Sequence, residues 1–245
     1  MNRLECIGVP VLVGGQLLFE HFQTIDVPLK RYYILDNSMG RDNEVEDAID
    51  AICDYKPDHI QEVVVVQNNL NAGFAGSVNQ IIRDNTDCKH WISCGYDWHP
   101  QPGEWQKLLD KVSTCPFGAF LSDDPIDFFC AVLWTPQLLA RVGYLDENFF
   151  PGYFEDNDYR HRIVQSDTSV DTIPLQVVHH RSSTLNSSSE FKKKNNFTFQ
   201  KNYAYYLEKW GGGPGQEKHK SPFGKNYPLS FWEFDPVRRQ KLRWT

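Results

Sequence analysis

Three carboxylates lie within four residues in the segment Glu155-Asp156-Asn157-Asp158, directly after an aromatic loop at residues 149–154. The first turn of a helix favours carboxylates through its dipole, so the segment could simply be a helix start. The aromatic loop favours a second interpretation, because a carboxylate beside an apolar wall has a raised pKa and can act as a general base. Asp158 and Arg162 stand four residues apart, which predicts an ion pair and leaves another acid available to react.

A second set of residues could hold a metal ion. Asp97 follows a short apolar run and has His99 close behind it. An aspartate with a nearby histidine can bind a divalent cation. His179 and His180 are adjacent at the end of a further apolar run, and neighbours in an extended chain point to opposite faces, so at most one of them faces a given site. A turn aspartate and a packed histidine are the alternatives.

The segment from Asn71 to Ser77 contains two glycines and joins a predicted strand to a predicted helix. Glycines allow a ligand to approach the backbone closely, and a helix N-terminus suits a phosphate group. The segment lacks the lysine of a P-loop and the spacing of a dinucleotide fingerprint, so it fits neither of those motifs.

These residues need a scaffold, and the first half of the chain predicts one in which strands alternate with helices. The strands are predicted at residues 6–13, 31–35, 62–67 and 90–94, and the helices at 16–23, 44–53, 75–83 and 105–112. Such alternation predicts a mostly parallel sheet covered on both faces, with ligands outside the carboxyl ends of its strands. Polar pairs follow three of these strands, namely Asp36-Asn37, Asn68-Asn69 and Tyr96-Asp97, which indicates a shared rim.

The second half of the chain is less regular. The predicted elements are two apolar strands within residues 117–134 around the turn Asp123-Asp124-Pro125, helices at 138–142, 156–165 and 197–210, and a strand at 173–179. The basic run Lys192-Lys193-Lys194 is predicted to precede the last helix, which Gly211-Gly212-Gly213-Pro214 ends. The final thirty residues are predicted to pack on the domain as a tail.

Composition excludes several classes of protein. The net charge of −7 argues against a general nucleic-acid binder. No apolar run approaches the ~18 residues of a membrane span, and the first ten residues do not resemble a secretory signal. The six cysteines form no CxxC pair, so we expect reduced thiols and a cytoplasmic location.

Seven segments, taken in order, resemble the family 2 glycosyltransferases of the GT-A fold, most closely the rhamnosyltransferase-like branch found in bacteria and some large DNA viruses. The segments are Asp36-Asn37-Ser38, residues 71–79, 96–103 and 142–150, Glu155-Asp156-Asn157-Asp158, His179 with residues 182–184, and Lys209-Trp210-Gly211-Gly212. The resemblance covers roughly residues 6–223. It implies a single α/β domain in which a mostly parallel central sheet is flanked by helices.

The resemblance also implies a division of the chain. Residues 1–185 would form the catalytic core, with nucleotide-sugar binding in roughly residues 1–105 and acceptor binding and catalysis in roughly 106–185. Residues 186–245 would be a C-terminal extension packed on that core.

By the same resemblance, the chain would be an inverting glycosyltransferase that moves a sugar from a nucleotide-diphosphate-sugar to a hydroxyl of a glycan acceptor. Asp156 would be the general base, and Asp97 and His179 would bind a divalent cation, Mn²⁺ or Mg²⁺, that neutralises the pyrophosphate. The residues implied for the nucleotide-sugar are Pro10, Asp36, Asn37, Asn71, Gly76, Tyr96 and Asp97. Those implied for the acceptor or sugar are Glu155, Asp158, Trp98, Tyr153 and Trp210.

Two departures from the family pattern bear on this expectation. The metal motif usually carries two acids, but Gly95-Tyr96 precedes Asp97 here and leaves one carboxylate. The usual Asn-Arg after the first strand is replaced by Val13-Gly14-Gly15. A different metal-dependent nucleotide enzyme, such as a nucleotidyltransferase or a sugar-phosphate hydrolase, and a non-catalytic glycan-binding module therefore stay open as alternatives.

Overall fold

The computed structural model describes residues 2–122, 124, 127–180 and 188–242. Its strands are β1 (Leu4–Val11), β2 (Leu29–Asp36), β3 (Ile60–Gln67), β4 (Trp91–Cys94), β5 (Trp98–Pro100), β6 (Ala119–Phe120), β7 (Ala131–Trp134), β8 (Asp171–Thr172) and β9 (Val177–His179). Its helices are α1 (Gly15–Gln23), α2 (Asn43–Tyr55), α3 (Gly73–Asp84), α4 (Glu104–Lys111), α5 (Pro136–Val142), α6 (Glu155–Gln165), α7 (Ser189–Trp210) and α8 (Pro236–Leu242).

Seven strands form the central sheet in the order β3-β2-β1-β4-β7-β6-β8. Strands β3, β2, β1 and β4 run parallel, whereas β7 is antiparallel to both β4 and β6. The prediction of a mostly parallel α/β sheet is therefore confirmed. The parallel order brings the carboxyl ends of β1, β2 and β3 to one edge of the sheet.

Alternation of side chains along the strands explains why helices cover both faces. In β2, Tyr32 and Ile34 join the apolar core under α1 and α2, and Tyr33 and Leu35 join the core under α3 and α6. Gly8 in β1 lets α3 approach closely, because a Cβ atom at that position would lie 2.3 Å from Ile81 Cγ2.

A two-stranded sheet of β5 and β9 lies beside the main sheet, and its β5 strand is not predicted by the sequence. The two strands are antiparallel, with Trp98 opposite His179. The predicted strand at residues 173–179 is correspondingly too long, since the structure has a strand only at Val177–His179. Pro174, which has no backbone N–H to donate, lies in the part that is not a strand.

Helix α7 begins eight residues earlier than predicted. The hydroxyl of Ser188 accepts a hydrogen bond from the backbone N–H of Phe191 at 3.0 Å, which caps the helix start. The lysines at 192–194 therefore belong to the helix and do not precede it. Two predicted features, residues 182–184 and Asp123 with Pro125, lie outside the described residues.

The C-terminal part of the chain contacts the core at several points. Arg239 in α8 lies 3.2 Å from the carboxylate of Glu147 and donates a hydrogen bond to the carbonyl of Ala72. Tyr206 and Trp210 of α7 are completely buried. Within the described part of the chain, no helix combines the length and the apolar character that crossing a membrane requires.

Candidate active site

The rim at the ends of β2 and β3 contains polar side chains that hydrogen-bond to one another. Asp36 is buried; its Oδ1 accepts a hydrogen bond from the backbone N–H of Ser38, and its Oδ2 accepts one from the amide of Gln67. The Asn37 amide donates to the Ser77 hydroxyl, and its carbonyl accepts from Asn68. These bonds tie β2, β3 and α3 together, so part of the polar character of the rim is structural.

A cavity of about 230 Å³ opens at this rim. Its lining residues are Leu12, Val13, Ser38, Met39, Arg41, Asp42, Asn71, Ser188, Phe191 and Lys194. Of the residues implied for the nucleotide-sugar, only Asn71 lines this cavity. Phe191 and Lys194 come from the start of α7, a contribution that was not predicted because the helix was expected to begin later.

The other implied nucleotide-sugar residues have different surroundings. Pro10 is half-buried within β1. Gly76 lies inside α3, where a Cβ atom would be 3.3 Å from the guanidinium of Arg239, so this glycine faces the C-terminal helix. Tyr96 is buried, and its ring lies against Gly14, where a Cβ atom would approach it to 2.9 Å. The glycine that departs from the family pattern therefore makes room for Tyr96.

The structure brings Asp97 and His179 together, although 82 residues separate them in the sequence. The Nε2 atom of His179 lies 3.7 Å from Oδ1 of Asp97, and its Nδ1 atom lies 3.2 Å from Oδ2 of Asp127. The carboxylate of Asp97, together with the thiol of Cys130, raises the pKa of His179 to about 11 against the opposing effect of burial. Asp127, Cys130 and His179 are also close enough to share one cation. Sequence reasoning missed Asp127 and Cys130.

The acidic segment opens α6, as predicted, and its three carboxylates divide into two environments. Asp158 is fully buried, and its Oδ2 lies 2.9 Å from Arg162, which confirms the predicted ion pair. Lys209 lies 2.6 Å from the other oxygen, and the indole N–H of Trp210 donates to that same oxygen at 2.9 Å. Burial alone would raise the pKa of Asp158, but Lys209 and Arg162 outweigh it and lower the pKa.

The network around Asp158 extends to Asp146. Lys209 bridges the two carboxylates, lying 2.7 Å from Asp146. Arg162 also donates to the backbone carbonyls of Val142 and Tyr144. The implied role of Asp158 in contacting sugar does not agree with this geometry, because the side chain is completely enclosed by its partners.

Glu155 and Asp156 have no ion-pair partner among the residues that the structure describes. The Oε2 atom of Glu155 is buried and has no hydrogen-bond partner among the described residues. Burial, followed by the charge of Asp156, raises the pKa of Glu155 well above its ordinary value. Burial also raises the pKa of Asp156, although the backbone N–H groups of the helix start act in the opposite direction. Asp156 as a residue is half-buried.

The aromatic residues implied as stacking surfaces are mostly internal. Trp98 is fully buried and packs edge-on against Trp105, with ring centroids 5.9 Å apart. Trp210 is also fully buried, with its indole committed to Asp158. Large apolar rings gain more free energy in the core than at a wet rim, which explains the disagreement with the expectation for both tryptophans. Tyr153, by contrast, is 39% exposed and packs on Phe199 of α7.

Helix α6 packs on the aromatic residues that follow Asp127. Residues three and four positions apart share one side of a helix, so Asp156 lies on the side of Tyr159 and Arg160. Tyr159 packs on Phe129 at 6.1 Å, and Arg160 lies over the ring of Phe128 at 5.1 Å. Helix α6 thus borders the aromatic residues that follow Asp127, which contacts His179.

Solved structures with the same arrangement of strands and helices belong to glycosyltransferases. The crystal structure of GalNAc-T7 with UDP, GalNAc and Mn²⁺ matches with a TM-score of 0.62 at 10% identity, over 84% of this chain and 48% of that one. The glucosyl-3-phosphoglycerate synthase of Mycobacterium tuberculosis matches with a TM-score of 0.52 at 12% identity, over 82% of this chain and 80% of that one. The chain has the GT-A fold.

Comparison of sequences adds one relative. A galactofuranosyl glycosyltransferase of Leishmania donovani is 27% identical over an alignment 159 residues long, and the match covers 55% of this chain and 36% of that protein. The GT-A chain thus spans about a third of the length of this relative. No protein-family model matches the sequence.

Proposed function

We propose that this GT-A chain is a glycosyltransferase that transfers a sugar, with inversion, from a nucleotide-diphosphate-sugar to a hydroxyl group of a glycan acceptor. The single observation that carries the proposal is that α6, which begins with the half-buried Asp156 of raised pKa, packs on Phe128 and Phe129, the residues that follow the Asp127 in contact with His179. A base and a cation site are the two groups that such a transfer requires.

The donor set of Asp97 and His179 fits a divalent cation. A carboxylate oxygen and an imidazole nitrogen face each other at 3.7 Å. This mixed set suits Mn²⁺ better than Mg²⁺, which prefers oxygen ligands alone. When bound there, the cation would neutralise the negative charge of the diphosphate leaving group.

In this proposal Asp156 takes the proton of the acceptor hydroxyl as that oxygen forms a bond to the anomeric carbon. The bond from the anomeric carbon to the diphosphate oxygen breaks on the opposite side, and the nucleoside diphosphate leaves with the electron pair. The raised pKa of Asp156 makes it a stronger base than an ordinary aspartate. Glu155 and Tyr153 are the remaining candidates for contacting the sugars.

The cavity at the rim is the proposed site of the nucleotide. Apolar Leu12, Val13 and Phe191 line it together with polar Ser38 and Asn71, a mixture that suits a base and a ribose. The membership of the rhamnosyltransferase-like branch and the cytoplasmic location implied by the sequence stay predictions.

A screen of nucleotide-sugars tests the proposed function. We expect one of them to bind, to be hydrolysed slowly alone, and to release free nucleoside diphosphate faster when an acceptor glycan is added. Release of pyrophosphate in place of nucleoside diphosphate would contradict sugar transfer and support the nucleotidyltransferase alternative. Binding of glycans with no turnover of any donor would support a glycan-binding module.

A further inference from the structure

The geometry points to Asp127 as a positioning residue that fixes the orientation of His179 for metal binding, in place of the second acid that the metal motif lacks. This inference rests on the proposed metal site at Asp97 and His179. It concerns the side of the imidazole ring that faces away from that site.

The two ring nitrogens of His179 meet different carboxylates. Nε2 lies 3.7 Å from Asp97, a separation that leaves room for an ion between the two atoms, and Nδ1 lies 3.2 Å from Asp127. The lone pairs of the two nitrogens leave opposite sides of the ring, so one ion cannot use both of them. Nδ1 is buried and makes no hydrogen bond to the described residues as it stands. An ion held by Nε2 and Asp97 would leave Nδ1 as an N–H group with the Asp127 carboxylate 3.2 Å away as its acceptor.

Backbone contacts hold both carboxylates where this arrangement needs them. The backbone N–H of His180 donates to the carbonyl of Asp97 at 2.9 Å, and the N–H of Gly95 donates to the carbonyl of Cys130 at 3.2 Å. The N–H of Cys130 in turn donates to the carbonyl of Asp127. Asp127 is itself buried, so its carboxylate acts in surroundings that strengthen a hydrogen bond.

A carboxylate that accepts from the second ring nitrogen selects the tautomer and makes the histidine a better ligand. Removing such a partner typically lowers metal affinity by roughly 10- to 100-fold without removing the site. Asp127 would thus strengthen a site that has one carboxylate ligand where the family pattern has two. A cation held directly by Asp127, Cys130 and His179 is the competing arrangement.

Titration of the full chain with Mn²⁺ alone, followed calorimetrically, tests the inference. We expect Asp127→Ala to weaken binding roughly 10- to 100-fold and Asp127→Asn, which keeps an acceptor oxygen, to restore most of the loss. His179→Ala should abolish binding, whereas Cys130→Ser and the exposed control Asp110→Ala should bind like the unaltered chain. Circular dichroism confirms that each variant is folded.

Several outcomes would overturn the inference. Unaltered affinity in Asp127→Ala would remove any role for that side chain, and a complete loss in both Asp127→Ala and Cys130→Ser would favour the competing arrangement. Absence of Mn²⁺ binding to the unaltered chain would refute the metal site itself, whereas sugar transfer without Mn²⁺ binding would leave the proposed activity standing.

A spectroscopic measurement separates orientation from general stability. In the Co²⁺-loaded chain we expect the Nδ1–H proton of His179 to give a shifted NMR signal that exchanges slowly with water, because Asp127 holds it. In Asp127→Ala that signal should exchange faster or vanish. An unaltered chain without such a signal would show that Nδ1 carries no proton, contrary to the inference.

Discussion

Asp156 and Asp158 stand two residues apart in the first turn of α6, and their carboxylates have opposite surroundings. Asp158 is enclosed by Arg162, Lys209 and Trp210, and its pKa is lowered. Asp156 is half-buried, has no ion-pair partner in the described part of the chain, and its pKa is raised. One helix turn therefore combines a carboxylate that stabilises the fold with one suited to accept a proton.

The difference follows from the direction in which each side chain leaves the helix. Asp158 points at the end of α7, where Lys209 and Trp210 come from the C-terminal part of the chain. Asp156 lies one turn before Tyr159 and Arg160, which pack on Phe129 and Phe128. Two aspartates of the same helix turn thus differ in pKa and burial because the fold places cationic partners beside only one of them.

Asp158→Asn should have the largest effect on stability. The change leaves Lys209 and Arg162 buried with less negative charge, and breaking a buried ion pair in this way costs about 3–5 kcal/mol. Urea unfolding at neutral pH measures the loss. Because the pKa of Asp158 is lowered, its contribution is present above the ordinary carboxyl pKa and is lost as the pH falls through the lowered value. The difference in the free energy of unfolding between the variant and the unaltered chain should therefore become smaller at acid pH. An equal difference at all pH values would contradict the assignment.

Trp210→Phe should have a smaller effect on the same network. The variant loses the hydrogen bond from the indole N–H to Asp158, and bonds to charged groups contribute about 1.5–3 kcal/mol. Both ion pairs of Asp158 are retained, so the free energy of unfolding should fall less than in Asp158→Asn. Trp105→Phe is the matched control, because the indole N–H of Trp105 donates to the uncharged hydroxyl of Thr24. Its free energy of unfolding should fall less than that of Trp210→Phe. A larger loss in the control would contradict the importance of the charged partner.

Glu155→Gln should have the smallest effect, and in the opposite direction. The raised pKa of Glu155 means that its ionised form is disfavoured in the fold, so the stability of the unaltered chain falls as the pH rises through that value. The variant lacks this charge and should be more stable by about 1–2 kcal/mol at alkaline pH, the scale of an unsatisfied buried group. At about pH 4 the two chains should be nearly equal. Thermal melting at both pH values measures this, and a variant destabilised at high pH would show that Glu155 has a partner.

Sequence reasoning anticipated the sheet because the relevant signals are local. The apolar runs that became β1, β2 and β3 alternate with amphipathic helices, and the spacing of Asp158 and Arg162 alone predicted their ion pair. The strand β5 gave no such signal. It has only three residues, one of them Pro100, and exists because Trp98 pairs with His179.

The partners of the site residues could not be predicted either, because they too are distant in sequence. Trp210 is 52 residues from Asp158, and Lys209 is 63 residues from Asp146. Local periodicity contains no information about contacts over such distances. The burial of Trp98 and Trp210 was missed because the same residue type suits both a core and a sugar-binding surface.

Turnover of Asp156→Asn, with the donor identified by the nucleotide-sugar screen, decides whether Asp156 is the general base. We expect turnover to fall by roughly 10²-fold or more, the scale of general-base catalysis, while donor affinity and the free energy of unfolding stay close to those of the unaltered chain. Asp110→Asn, an exposed acid in α4, is the control and should keep full turnover. Unchanged turnover in Asp156→Asn would contradict the division of the acidic segment into a reacting carboxylate and a structural one.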